Sequence, residues 1–115
     1  MYYVYILRCR GGTLYTGITP DLKRRMAAHA AGTGAKYTRS HPPEEIACLW
    51  RTAEKNDALR LEYAVKKRLT RGEKLSLINH PARMGELLPG LEPERFDHVP
   101  GVTPVYRVPP RHRRM

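Results

Sequence analysis

Tyr5 and Tyr15 stand in two short runs, Tyr3-Val4-Tyr5 and Leu14-Tyr15-Thr16-Gly17, separated by a Gly11-Gly12 pair. Two phenols brought together could move a proton. At an ordinary pKa near 10, however, a phenol is a poor base at neutral pH unless nearby cations lower it. Arg25 and His29 lie four residues apart, so on a helix they stack on one side, where a guanidinium can fork onto a phosphate as a lysine cannot. Glu62 sits at the edge of the apolar stripe Ala58, Leu61, Val65, Leu69, which directs a carboxylate towards the protein. A structural salt bridge and a metal ligand both fit that position. The bland readings stand beside these: tyrosines in strands pack, and Lys23-Arg24-Arg25 makes an ordinary solvated basic cluster.

The elements that must position these groups follow in chain order. Tyr2 to Arg8 and Thr13 to Thr16 have strand composition around the glycine pair, which predicts a β-hairpin that brings Tyr5 and Tyr15 close. Thr19-Pro20-Asp21 ends it and starts a helix, with Thr19 or Asp21 as N-cap, Pro20 in the first turn and Gly32 as the stop. Residues 32–43 form a loop by composition, with glycines at one end and prolines at the other. Its Lys36, Tyr37, Thr38, Arg39 and His41 suit phosphate contact and base stacking. Glu45 to Arg51 is an apolar third strand. A second helix is expected from an Asn56 or Asp57 cap to Leu69, and Thr70-Arg71-Gly72-Glu73 matches a capping box that opens a short third helix. From His80 onward prolines and glycines dominate. Residues 81–115 therefore read as a Pro-rich basic extension of a domain at 1–80, packing on it by Leu87, Leu88, Phe96 and Tyr106 and ending in Arg111-His112-Arg113-Arg114.

With 21 Lys+Arg against 11 Asp+Glu, the 115-residue chain carries a formal charge of +10 and a pI near 10.1. A polyanion is the natural partner, nucleic acid first. No apolar run has the length of a membrane span, and the N-terminal residues alternate like a strand rather than a secretory signal, so a cytoplasmic monomer with no membrane partner is expected. Cys9 and Cys48 are isolated, without metal-ligand spacing, and read as reduced packing residues.

Hairpin with two tyrosines, helix with Arg25 and His29, third strand, then helix with Glu62: in this order the chain resembles the GIY-YIG nuclease family. Tyr3-Val4-Tyr5 stands in place of Gly-Ile-Tyr and Tyr15-Thr16-Gly17 in place of Tyr-Ile-Gly. The resemblance covers about residues 1–80 and looks closest to the small stand-alone bacterial branch, which has stretches similar to Gly34-Ala35-Lys36-Tyr37-Thr38-Arg39. It implies a small α/β (α+β) domain with a three-stranded antiparallel sheet flanked by helices. It also implies that Tyr5, Tyr15, Arg25, His29 and Glu62 are catalytic, with Gly17 as the motif glycine. Glu62 would bind a single divalent ion, Mg²⁺ or Mn²⁺. The first motif lacks its glycine, Ile18 stands where some members place a lysine, and Asn79 is the counterpart of a later asparagine.

A chemistry follows. Hydrolysis of a phosphodiester needs an activated water, stabilisation of the nonbridging oxygens and help for the leaving 3′ oxygen. Glu62 with its ion would serve the last two, Arg25 would fork onto the phosphate, and Tyr15 or Tyr5 would be the base, oriented by or relaying its proton through His29. Lys23, Arg24, Lys36, Tyr37, Thr38, Arg39, Lys66 and Lys67 would carry the nucleic acid. No base-reading motif is evident, so action on DNA structure or damage, in repair or recombination, or no strong selectivity is expected. RNA is a further possible substrate, and a nucleic-acid-binding module without turnover is the alternative.

Overall fold

β1 (Tyr2–Cys9) and β2 (Leu14–Thr19) form the expected hairpin. β-Branched and aromatic residues favour the extended backbone, and Gly11 and Gly12 adopt φ values of +86° and +85° to close the turn. The computed structural model describes residues 1–101 and the backbone of Thr103 and Pro104; Tyr106 and the terminal basic run lie outside the described residues. β3 (Pro43–Thr52) pairs antiparallel with the other side of β1, giving the order β2-β1-β3 for the long strands. This is the expected three-stranded sheet, with one addition. The extension contributes β4 (Asp97–His98) and β5 (Thr103–Pro104), two residues each, both on the far side of β3.

Register decides which face each tyrosine takes. Tyr5 lies opposite Gly17 and Leu7 opposite Tyr15, so both tyrosines point to the same face, while Val4 and Ile6 point to the other. The pairing of β1 with β3 skips Ala47, and this extra residue lets Ile46 and Leu49 share the Tyr5 face despite their odd spacing.

Helix α1 (Leu22–Ala30) covers that face with Leu22 and Met26. Of the two expected caps, Asp21 does the work, its carboxylate accepting from the Arg24 N–H at 3.1 Å. Pro20 therefore precedes the cap rather than lying in the first turn. Within the expected loop, Lys36–Ser40 is helical (α2), a single short turn. Helices α3 (Lys55–Arg68) and α4 (Arg71–Asn79) cover the opposite face. α3 starts earlier than expected, with Glu54 at its cap position. The reason is that Asp57 turns inward and pairs with Arg95 of the extension at 3.2 Å instead of capping. The capping box at Thr70 and Glu73 is present with both of its hydrogen bonds. No described helix is long and apolar enough to cross a membrane, and Cys9 and Cys48 are buried and unbridged.

The larger core lies under α3. Val4, Ile6, Cys48 and Trp50 from the sheet meet Ala58, Leu61, Ala64 and Val65, and the extension closes the cluster with Met84, Leu88, Leu91 and Phe96. α5 (Met84–Leu87) begins that closure. Leu88 and Phe96, expected to pack, are core residues, and Leu87 packs less deeply.

Leu88→Ala should therefore cost about 2–5 kcal/mol of unfolding free energy. Leu59→Ala, on the exposed side of α3, should change it by no more than about 0.5 kcal/mol. Urea denaturation of the two variants measures the difference; equal, small effects would show that the extension does not complete the core.

Candidate active site

Tyr5 occupies the middle of β1 and is fully buried. Its ring lies across Gly17, where a Cβ would come within 2.5 Å of the Tyr5 hydroxyl oxygen and 2.7 Å of Cζ. Only the absence of a side chain at Gly17 lets the phenol lie flat against the hairpin. A hydroxyl buried this deeply needs partners, and α1 brings them. Arg25 and His29, one helical turn apart, both face it. His29 Nε2 is 2.9 Å from the Tyr5 oxygen, and the Arg25 Nε–H donates to that same oxygen at 3.4 Å.

His29 is 1% exposed, and its second ring nitrogen, Nδ1, is 2.9 Å from the hydroxyl of Thr38. Thr38 in turn donates to the carbonyl of Ala35 at 3.2 Å. The loop approaches the imidazole so closely that a Cβ on Gly34 would lie 2.5 Å from Nδ1. Thr38 is thus no nucleic-acid contact, contrary to the expectation from loop composition: at 1% exposure its hydroxyl is committed to His29 and the backbone.

Burial sets the protonation states. It pushes His29 down to about 4, helped by the positive charge of Arg25, so the imidazole is neutral at neutral pH. Burial also pushes Tyr5 up to about 12, outweighing the hydrogen bond and charge of Arg25. Tyr5 therefore keeps its proton.

Tyr15 has different surroundings. It is half-buried on β2, with its ring 5.7 Å from His29 in an edge arrangement. Tyr37, exposed on α2, stacks on it at 5.8 Å and 16°, and His41 continues the stack beyond Tyr37 at 4.3 Å and 7°. Lys66 of α3 reaches round the edge of the sheet to within 5.9 Å of the Tyr15 ring centre. The same lysine pairs with Glu62 at 3.2 Å. Glu62 is one-fifth exposed and close enough to Tyr5 for its negative charge to help hold the phenol's proton.

The structure thus joins Tyr5, Arg25 and His29 by hydrogen bonds, places Tyr15 beside His29, and sets Glu62 across from them on the helix of the opposite face. Lys23, Arg24, Lys36, Arg39 and Lys67 are exposed, and Asn79 is exposed at the end of α4. Gly34 escaped notice from residue type alone, although it falls in the stretch Gly34 to Arg39. Among the described residues no three His, Cys, Asp or Glu side chains converge as metal ligands. A lone carboxylate facing this site suits a hard ion such as Mg²⁺, completed by water and substrate oxygens. The ion and Lys66 would compete for Glu62.

Comparison with known proteins shows what the chain is similar to. The family model of the GIY-YIG catalytic domain matches residues 1–75. Among curated relatives, the UPF0213 protein BH0048 of Halalkalibacterium halodurans is 46% identical, covering 68% of this chain and 82% of its own. The UPF0213 protein VNG_2274C of Halobacterium salinarum is 44% identical over 67% of this chain and 99% of its own. The solution NMR structure of the UPF0213 protein BH0048 from Bacillus halodurans aligns with a TM-score of 0.47 at 42% identity, covering 77% of this chain and 98% of that one.

Two outcomes follow from the buried cluster. A histidine at about 4 in the folded state, against about 6.5 when unfolded, makes the unfolded chain bind the extra proton between those values. His29 should then withdraw stability as pH falls from 6.5 towards 4, by on the order of 3 kcal/mol in total. Denaturation midpoints across that window should flatten in His29→Gln relative to wild type; parallel curves would contradict the assignment. Separately, Gly17→Ala should lower stability by about 1–3 kcal/mol, because Tyr5 must give way.

Proposed function

The chain belongs to the GIY-YIG family, and from that premise we propose that it is an endonuclease that hydrolyses DNA phosphodiester bonds as a monomer with one divalent ion. The observation that carries this reading is the Arg25 guanidinium anchored by its Nε on the Tyr5 hydroxyl, beside Tyr15, with the Glu62 charge near enough to act on Tyr5, on a chain of charge +10. With Nε so used, the terminal amino groups of Arg25, which also neighbour Tyr15, can fork onto the nonbridging oxygens of a phosphate. Tyr15 is the favoured base, being half-exposed at the sheet edge, whereas Tyr5 is buried and holds its proton. His29 acts on Tyr5 and braces Tyr15 by its ring edge. Glu62 would hold Mg²⁺ or Mn²⁺, which supplies charge stabilisation to the phosphate and the leaving 3′ oxygen.

Exposed Lys23, Arg24, Lys36, Arg39 and Lys67 would bind the backbone around the site, with Tyr37 alongside. These contacts carry no base sequence, which supports selection by DNA shape, as at nicks, flaps and branches in repair or recombination. One observation favours the second reading, binding without turnover. Lys66 already neutralises Glu62, as it would in a site that holds no ion.

Incubation with nicked, flapped and branched DNA, and with RNA of the same form, in Mg²⁺ or Mn²⁺ separates the two. Cleavage should fall by on the order of a hundredfold or more in Arg25→Ala, Glu62→Gln and Tyr15→Phe, with DNA binding retained in Tyr15→Phe. Cleavage that survives both Arg25→Ala and Glu62→Gln sinks the proposal. Salt-sensitive binding with no product in either metal supports the second reading.

A further inference from the structure

The hydrogen bonds around His29 can be assigned one hydrogen at a time. The Tyr5 hydroxyl, which Arg25 can only donate to, has His29 Nε2 as its one acceptor, and the Thr38 hydroxyl donates to the Ala35 carbonyl at 3.2 Å. Towards His29 Nδ1, at 2.9 Å, Thr38 can then offer only a lone pair, and Nδ1 must carry the ring's hydrogen. A neutral imidazole has one such hydrogen, and the folded environment keeps His29 neutral. Its Nε2 is therefore bare and accepts from the Tyr5 hydroxyl at 2.9 Å. The Tyr5 oxygen keeps its lone pairs for the Arg25 Nε–H. Every bond points the same way, from the Arg25 guanidinium to the Ala35 carbonyl.

From this we infer that Thr38 is a positioning residue, whose hydroxyl sets the tautomer of His29 and, through His29 and Tyr5, the seat of the Arg25 guanidinium. The inference rests on the nuclease reading only for the role given to Arg25. The opposite tautomer illustrates the constraint. A hydrogen on Nε2 would meet the Tyr5 hydroxyl hydrogen, which would then have to turn towards Arg25, a group with no acceptor. Tyr5, His29 and Thr38 are each 1% exposed or less, so bulk water is not available to take up the misdirected hydrogen. Gly34 holds the arrangement together. With a Cβ there only 2.5 Å from Nδ1, the loop that carries Ala35 and Thr38 is pressed against the ring at the one residue type that permits it. Gly17 does the same beneath Tyr5, so a glycine fixes each ring of the relay.

The test compares wild type with Thr38→Ser and Thr38→Val, using nitrogen-15 NMR of His29 to read the tautomer and steady-state DNA cleavage to read the consequence. Wild type and Thr38→Ser should show hydrogen on Nδ1 and a bare Nε2. Thr38→Val should move the hydrogen to Nε2 and lower kcat by up to about a hundredfold through misplacement of Arg25, with KM for DNA changed by less than about twofold. Thr38→Ser should restore kcat. A wild-type ring with hydrogen on Nε2, or with both nitrogens protonated at neutral pH, overturns the inference, and so does a tautomer that Thr38→Val leaves unchanged. Should Thr38→Val not fold, a wild-type ring with its hydrogen on Nε2 still overturns the inference. A tautomer that follows Thr38 in a protein that cuts no DNA upholds the hydrogen-bond assignment and overturns the nuclease reading instead.

Discussion

A phenol at the centre of a sheet is the constraint on which this molecule turns. The Tyr5 hydroxyl is beyond the reach of water, and its partners must come from one element close enough to present two polar groups at once. α1 does this with Arg25 and His29, one helical turn apart, while Leu22 and Met26 pack the same helix on the sheet. The demand then passes outward. His29, itself buried, needs Thr38; Thr38 needs the Ala35 carbonyl; and the backbone between them can approach only because residue 34 is glycine. A five-residue helix too short to persist alone is held in place by this sequence of obligations.

The second constraint is the edge of the sheet. Among the described residues β2 has a neighbour on one side only, so groups from both faces can meet beyond it. Arg25 arrives from the α1 face and Glu62 with Lys66 from the α3 face, with Tyr15 between them on the edge strand itself. A site built from opposite layers can gather a cation, a carboxylate and a phenol without burying all three. Burial differs accordingly: Tyr5 is sealed within the sheet, whereas Tyr15 is half-buried.

What could be read in the sequence was what is local. The hairpin, the Asp21 cap, the Thr70-Glu73 capping box and the shared side of Arg25 and His29 follow from neighbours one to four residues apart. Glu62 was legible as a carboxylate on the edge of an apolar stripe, and the same four-residue spacing gives it Lys66. What could not be read depends on distant partners. Thr38 looks like any loop hydroxyl until His29 is placed against it. Asp57 looks like a helix cap until Arg95 claims it. Ala47 shows no sign of being an extra residue in its strand, because the bulge exists only relative to β1. The two-residue strands of the extension have too little pattern to announce themselves.

The closure of the larger core by Met84, Leu88, Leu91 and Phe96 has a bearing on how the chain is made. The strand at the middle of the sheet is synthesised well before the side chains that complete the cover of one of its faces. The hairpin can form soon after it leaves the ribosome, since hairpins close within microseconds. At a translation rate of about 5–20 residues per second, however, Val4, Ile6 and later Trp50 wait seconds for their cover. Through that interval a basic nascent chain displays an apolar sheet face, and its native state becomes available only when Phe96 has emerged. Chain order thus leaves this side of the sheet incompletely covered until Phe96 follows.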